Sequence, residues 1–182
     1  MKTILLMLVL AACRPERIEN PHTHQPRTEP QVQQDIGGQA PAESTVKATD
    51  GSDVDLTKTW ADHKTVVVFY MGHWCPECTK QLTGLNDHQK DFAAKDTTVV
   101  AISTDSPEDA GKLKEKLGLT FDVYSDTQLQ TIQKWGVANY DTNIAKPSTF
   151  IVQKGGAITF KKIGETTNDR PSAEQILAQL DQ

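Results

Sequence analysis

Residues 65–78 read Thr-Val-Val-Val-Phe-Tyr-Met-Gly-His-Trp-Cys-Pro-Glu-Cys. Thr65 to Tyr70 is a continuous run of β-branched and aromatic residues, the pattern of a strand buried on both faces. From Pro76 the period changes. Cys78, Leu82, Leu85 and Phe92 recur at helical spacing, which predicts one helix running to about Lys95. The segment is therefore a buried strand, a short turn and a helix, with a Cys-x-x-Cys pair at the helix start.

That placement carries the chemistry. A cysteine at a helix amino terminus faces unpaired backbone N–H groups and the positive end of the helix dipole. Both favour thiolate over thiol and raise the fraction able to attack. Cys75, at the first turn, is the expected exposed nucleophile, and Cys78, one turn inward on the apolar face, the expected resolving thiol. Pro76 suits the first helical position, where its missing N–H has no intrahelical partner. Glu77 favours the helix dipole but opposes a nearby thiolate. His73 is a candidate for proton transfer or a solvated loop histidine. Trp74 is expected to pack against the active-site surface. A zinc site would need four ligands, and neither His63 nor His88 is suitably spaced to complete one. A purely structural disulfide here would close too small a loop to stabilise much. We therefore expect a redox-active pair, with no metal and no cofactor.

Outward from this segment, Thr98 to Ser103 predicts a second buried strand. Ser106 and Pro107 open a helix as cap and first residue, Ala110, Leu113 and Leu117 form its apolar stripe, and Gly118 stops it. Phe121 to Tyr124 and Ser148 to Val152 read as strands. Gly155-Gly156 turns into another over Ala157 to Lys161, and Ser172 to Leu180 is a closing helix. Upstream, Asp50-Gly51 between Val46 and Val54 signals a hairpin. Strands alternating with helices indicate a layered α/β domain.

The other end of the chain reads as an address. Lys2 precedes a short apolar run from Ile4 to Ala12, too short to span a bilayer and shaped like a secretory signal. Leu10-Ala11-Ala12-Cys13 resembles the bacterial lipobox, which implies cleavage before Cys13 and lipid attachment at it. Several acyl chains would anchor the chain stably. By resemblance to enterobacterial lipoproteins, Arg14 after the cysteine favours the outer membrane. Residues 14–44 hold five of the nine prolines and no aromatic, so they read as a disordered tether. His22 and His24 within it are expected to be solvated. Every aromatic lies between Trp60 and Phe160. The expected organisation is a signal peptide over 1–12, a lipidated terminus and tether over 13–44, and one domain over 45–182. The net charge of −5 gives no reason to expect nucleic-acid binding.

Phe69 to Cys78 resembles the active-site segment of redoxins of the AhpC/TSA family, within the thioredoxin superfamily. Lys146-Pro147-Ser-Thr-Phe-Ile-Val152 is similar to that family's strand preceded by a cis-proline, and Asn168-Asp-Arg-Pro-Ser172 to the start of its last helix. The resemblance implies a thioredoxin-like fold with a central mixed β-sheet flanked by helices. It also implies that Pro147 is cis and faces the pair, with Lys146 bringing positive charge toward Cys75. The sequence departs from the peroxide-activating pattern of typical peroxiredoxins. Aligning the peroxidatic cysteine with Cys78 puts Met71 at the usual proline, Cys75 at the threonine and Pro147 at the arginine, while Arg170 is a candidate replacement from elsewhere.

Three functions fit this reading. The first is an envelope-anchored thiol–disulfide oxidoreductase facing the periplasm, in which Cys75 attacks and Cys78 resolves. The second is a thiol peroxidase, one cysteine becoming a sulfenic acid. The third is a module that delivers Cu(I) held between the thiolates. Either redox reading requires a periplasmic or membrane electron donor or acceptor, because the chain carries no second redox module.

Overall fold

The computed structural model of the protein describes residues 38–181. The signal peptide, Cys13, His22, His24 and most of the tether lie outside the described residues. Contacts with the rest of the fold are made before residue 45. Gln39 bridges Ala157, and the Ala40 N–H donates to the Gly156 carbonyl at 2.8 Å. Ser44 is fully buried, accepting the Trp135 indole N–H at 3.3 Å. Composition is blind to these contacts because they are made by backbone and by one small hydroxyl.

A hairpin of β1 (Thr45–Lys47) and β2 (Asp53–Asp55) pairs Val46 with Val54 across the Asp50-Gly51 turn. A 3-10 turn and the short α1 (Thr59–Asp62) follow, burying Leu56 and Trp60. Next come β3 (Lys64–Phe69), α2 (Pro76–Asp87), α3 (Gln89–Ala94) and β4 (Thr97–Ser103). Then come α4 (Pro107–Leu117), β5 (Asp122–Ser125) and α5 (Gln130–Lys134). A two-strand ribbon of β6 (Ala138–Asn139) and β7 (Ile144–Ala145) leads into β8 (Ser148–Val152), β9 (Ile158–Ile163) and α6 (Ala173–Gln179).

Seven strands form one mixed sheet in the order β2-β1-β5-β4-β3-β8-β9. The β3, β4 and β5 strands run parallel, while β8 returns antiparallel beside β3, with Phe69 opposite Ser148. Alternation along β3 fills both layers. Val66, Val68 and Tyr70 join Leu82, Leu85, Phe92 and Ile176 on one face. Val67 and Phe69 meet Trp60, Trp135 and Phe150 on the other, where the aromatic rings pack edge to face.

The expected single helix over 76–95 is broken at His88, which leaves the helical region at φ −100°, ψ 15°. Tertiary partners outbid helix continuation here. Asn86 accepts the Thr120 N–H at 2.8 Å, and His88 is held by Asp91 at 2.8 Å and Glu174 at 3.2 Å. The α4 and α6 boundaries follow their caps. Ser106 accepts the Asp109 N–H, and Gly118 closes α4 at φ 61°, a left-handed conformation suited to glycine. Ser172 and Gln175 form a capping box. The α1 and α5 helices and the β6–β7 ribbon were not expected, being too short to show a period. Among the described residues no helix is long and apolar enough to cross a membrane.

Candidate active site

The pair sits where β3, at the interior of the sheet, hands the chain to α2. The turn between them is closed by the Cys75 N–H donating to the Gly72 carbonyl at 3.1 Å. The Trp74 indole folds back over Gly72, where a Cβ would lie 3.1 Å from its Cδ1. Cys75 is the N-cap of α2, and its sulfur accepts the Cys78 N–H at 3.2 Å. Pro76 takes the first helical position as predicted. Cys75 and Cys78 are joined as a disulfide, with their Cα atoms 5.2 Å apart.

The expected difference in exposure is corrected. Cys75 is 2% exposed and Cys78 1%. As N-cap, Cys75 turns its sulfur inward toward the helix N–H groups, and both sulfurs join the core with Tyr70 and Leu82. Trp74, by contrast, is 57% exposed at the mouth.

The expectation of a cis bond before Pro147 is also corrected: no peptide bond among the described residues is cis. The Lys146 N–H donates to the Val137 carbonyl at 2.7 Å, and the Pro147 carbonyl accepts the Gly164 N–H at 2.7 Å. The β6–β7 ribbon thus delivers an extended chain into β8, which the lower-energy trans isomer accommodates. Exposed Lys146 and buried Pro147 line a groove of about 660 Å³ with Met71, Ile144, Ile163 and Gly164. Its wall reaches the turn before the pair through Met71 and includes neither cysteine.

Arg170, the candidate replacement arginine, lies beside α2 with its Nη2 buried and without a hydrogen-bond partner. Its Nε donates to the Thr167 carbonyl at 2.8 Å and its Nη1 to Gln81 Oε1 at 3.2 Å. Burial lowers its pKa, against the favourable charge of Glu77.

One contributor was missed in the sequence. The Asp105 carboxylate, buried at the carboxyl end of β4, accepts the His73 backbone N–H at 2.8 Å. It also holds His73 Nδ1 at 2.8 Å and the Ser103 hydroxyl at 2.8 Å. Tyr70, buried beside it with its hydroxyl unpaired, is pushed far above its ordinary pKa by burial and by the Asp105 charge. The available signal was an acidic residue just past a parallel strand, at the edge where such sheets build sites. Among the described residues no group of three or more His, Cys, Asp or Glu is arranged to hold a metal ion.

Residues 36–161 match the AhpC/TSA family. The chain belongs to that family. A Mycobacterium tuberculosis protein that carries a peroxiredoxin name is 33% identical over 128 residues, 67% of this chain and 80% of its own. The thiol-disulfide oxidoreductase ResA of Geobacillus thermodenitrificans is 26% identical and aligns with 99% of this chain and 94% of its own. Among solved structures, peroxidoxin BcpB from Mycobacterium tuberculosis superposes with a TM-score of 0.72 at 24% identity. That match covers 82% of this chain and 97% of the other. The fold of this AhpC/TSA member is thioredoxin-like, and the protein is a thiol-dependent oxidoreductase.

Proposed function

We propose that the protein is a thiol–disulfide oxidoreductase of the bacterial cell envelope, working through Cys75 and Cys78. The observation that carries this reading is the Cys75 sulfur at the α2 N-cap, accepting the Cys78 N–H and bonded to Cys78. When the pair is reduced, the same N–H and the helix dipole stabilise a Cys75 thiolate. That thiolate attacks a substrate disulfide, one substrate sulfur leaves with the electron pair, and Cys78 then displaces the other, closing the Cys75–Cys78 bond. Burial does not rank the two sulfurs, so the order of attack rests on Cys75 holding the cap. Trp74, Pro76, Lys146 and Pro147 are assigned to the surrounding surface.

A second reading, a thiol peroxidase, is favoured by membership of the AhpC/TSA family. Against it stand Met71, Cys75 and Pro147 at the positions of the usual peroxide-activating residues. Lipid attachment at Cys13 and a periplasmic or membrane electron partner complete the proposal. They are supported by the Leu10-Ala11-Ala12-Cys13 segment and by the need of a cycling Cys-x-x-Cys pair for an electron source or sink.

Stopped-flow tryptophan fluorescence of the reduced protein separates the two readings, with Trp74 as reporter. Rapid oxidation by a protein disulfide, with hydrogen peroxide reacting no faster than with a free thiol, is the expected result. A peroxide rate far above that of a free thiol overturns it in favour of the peroxidase.

A further inference from the structure

We propose that Asp105 is the positioning residue of the active-site turn: its carboxylate holds the segment between β3 and α2 in place and so sets how fast an incoming thiol reaches the Cys75–Cys78 disulfide. The inference deepens the oxidoreductase reading and rests on it. Its starting point is burial. A disulfide that exchanges has to be reached, yet Cys75 is 2% exposed and Cys78 1%. Cys78 is fixed within α2 and joins the core with Leu82 and Leu85 of the same helix. Residues 71–74, ahead of Cys75, belong to neither element. Uncovering the Cys75 sulfur therefore falls to them.

Few bonds tie that segment to the rest of the fold. The Tyr70 N–H donates to the Ile102 carbonyl at 3.0 Å, and the Cys75 N–H closes the turn locally on Gly72 at 3.1 Å. Between them, among the described residues, the hydrogen bonds from residues 71–74 to another part of the sheet both end on Asp105. Its Oδ2 accepts the His73 backbone N–H and its Oδ1 meets His73 Nδ1, each at 2.8 Å. Met71 adds packing against the core. Asp105 is itself anchored on the ends of β4 and β5. Its Oδ2 accepts the Ser103 hydroxyl at 2.8 Å, its N–H donates back to Ser103 Oγ at 3.1 Å, and its carbonyl accepts the Ser125 hydroxyl at 2.5 Å. Its side chain is 6% exposed while that of His73 is 46% exposed. A buried carboxylate thus holds a solvent-facing turn to the sheet, and a charged acceptor makes the stronger kind of hydrogen bond.

The step that this hold governs is reduction of the pair by a dithiol. One thiolate of the dithiol attacks the Cys75 sulfur, the Cys75–Cys78 bond breaks, and Cys78 leaves with the electron pair and takes a proton from water. The second thiol of the reductant then displaces Cys75 from the mixed disulfide. Two electrons pass to the protein pair, and the reductant becomes a disulfide. Attack in line with the Cys75–Cys78 bond needs the outer side of the Cys75 sulfur open, so the turn has to release first. The hydrogen bonds to Asp105 oppose that release.

The test is the rate at which dithiothreitol reduces the oxidised protein, with the new thiols trapped by a maleimide and counted by mass spectrometry. Asp105→Ala removes both acceptors and is expected to speed reduction at least about tenfold, the weight of a hydrogen bond to a charged group in an opening equilibrium. Asp105→Asn gives back one oxygen for the His73 N–H and is expected to return the rate toward that of the parent. His73→Ala keeps the backbone bond and loses only the ring, so a smaller gain of about threefold is expected. Phe150→Leu separates positioning from general destabilisation: it loosens the opposite layer and should leave the rate within about twofold. An Asp105→Ala rate close to that of the parent overturns the proposal, as does an equal acceleration in Phe150→Leu. If Asp105→Ala does not fold, His73→Ala decides, and an unchanged rate there overturns the proposal. Dithiothreitol probes the disulfide alone. If Cys75→Ser retains full exchange with a protein disulfide, the oxidoreductase reading itself fails, whatever the dithiothreitol rates show.

Discussion

The Cys78 backbone N–H donates to the Cys75 sulfur at 3.2 Å, across the first turn of α2. The bond makes the proposed nucleophile its own helix cap, a place ordinarily filled by serine, threonine, aspartate or asparagine. The two cysteines are therefore unequal in position on the helix although they are equally hidden. Cys75→Ser is expected to abolish disulfide exchange while keeping the cap. Cys78→Ser should instead accumulate a mixed disulfide with the substrate, visible by mass spectrometry under non-reducing conditions. Full activity in both single variants removes the redox assignment.

Gly72 admits the Trp74 indole where a side chain would stand, with the virtual Cβ 2.5 Å from Nε1. Gly72→Ala should displace the indole and cost about 1–3 kcal/mol, the range for local backbone strain at such a position. The expected signature is a changed Trp74 emission together with a lower thermal midpoint. An unaltered emission spectrum contradicts the packing.

His88 links the α2–α3 break to α6. Its hydrogen bond to Asp91 raises its pKa above the ordinary histidine value, partly offset by desolvation and assisted by Glu174. The folded state therefore binds the proton more tightly than the unfolded chain. The resulting stabilisation is fully present below the unfolded value of 6.5 and is lost as pH rises through the higher folded value. His88→Gln should lower the thermal midpoint measurably at pH 5.5, and the difference from the parent protein should shrink by pH 8.5. A difference that does not vary with pH contradicts the ion pairs.

Phe150 packs on Trp135 and Phe69 at centroid distances of 4.9 and 5.9 Å, on the sheet face opposite the cysteines. Phe150→Leu should cost about 1–2 kcal/mol by lost contacts and imperfect filling. Well below the melting range, it should leave the exchange rate of the folded protein within about twofold, because the pair belongs to the other layer. Chemical denaturation and single-turnover exchange, measured on the same preparation, check both halves of this prediction.

The proposed anchor is tested in cells. An alkyne fatty acid should be incorporated into the protein, and Cys13→Ala should eliminate the label and release the protein from the membrane fraction. Labelling that survives the substitution overturns the assignment of Cys13.

Much of this protein is written locally. The apolar run 65–70, the period change at Pro76, the Ser106-Pro107 and Ser172 caps and the Asp50-Gly51 turn each act over a few residues. The corresponding elements accordingly stand where their residues place them. The Cys-x-x-Cys pair at a strand-to-helix junction was legible for the same reason: its spacing and its helix end are both properties of neighbours in sequence. The sequence did not disclose contacts made across the fold. The break at His88 comes with contacts to Thr120 and Glu174, and the burial of Ala40 and Ser44 with contacts to Gly156 and Trp135. The grip of Asp105 on His73 spans 32 residues and exists only because β3 and β4 lie side by side in parallel. Local propensity determined which residues form the elements and where the sulfurs lie. Only the packed sheet decided which carboxylate holds His73, because the His73 backbone N–H that helps satisfy buried Asp105 lies 32 residues away in sequence.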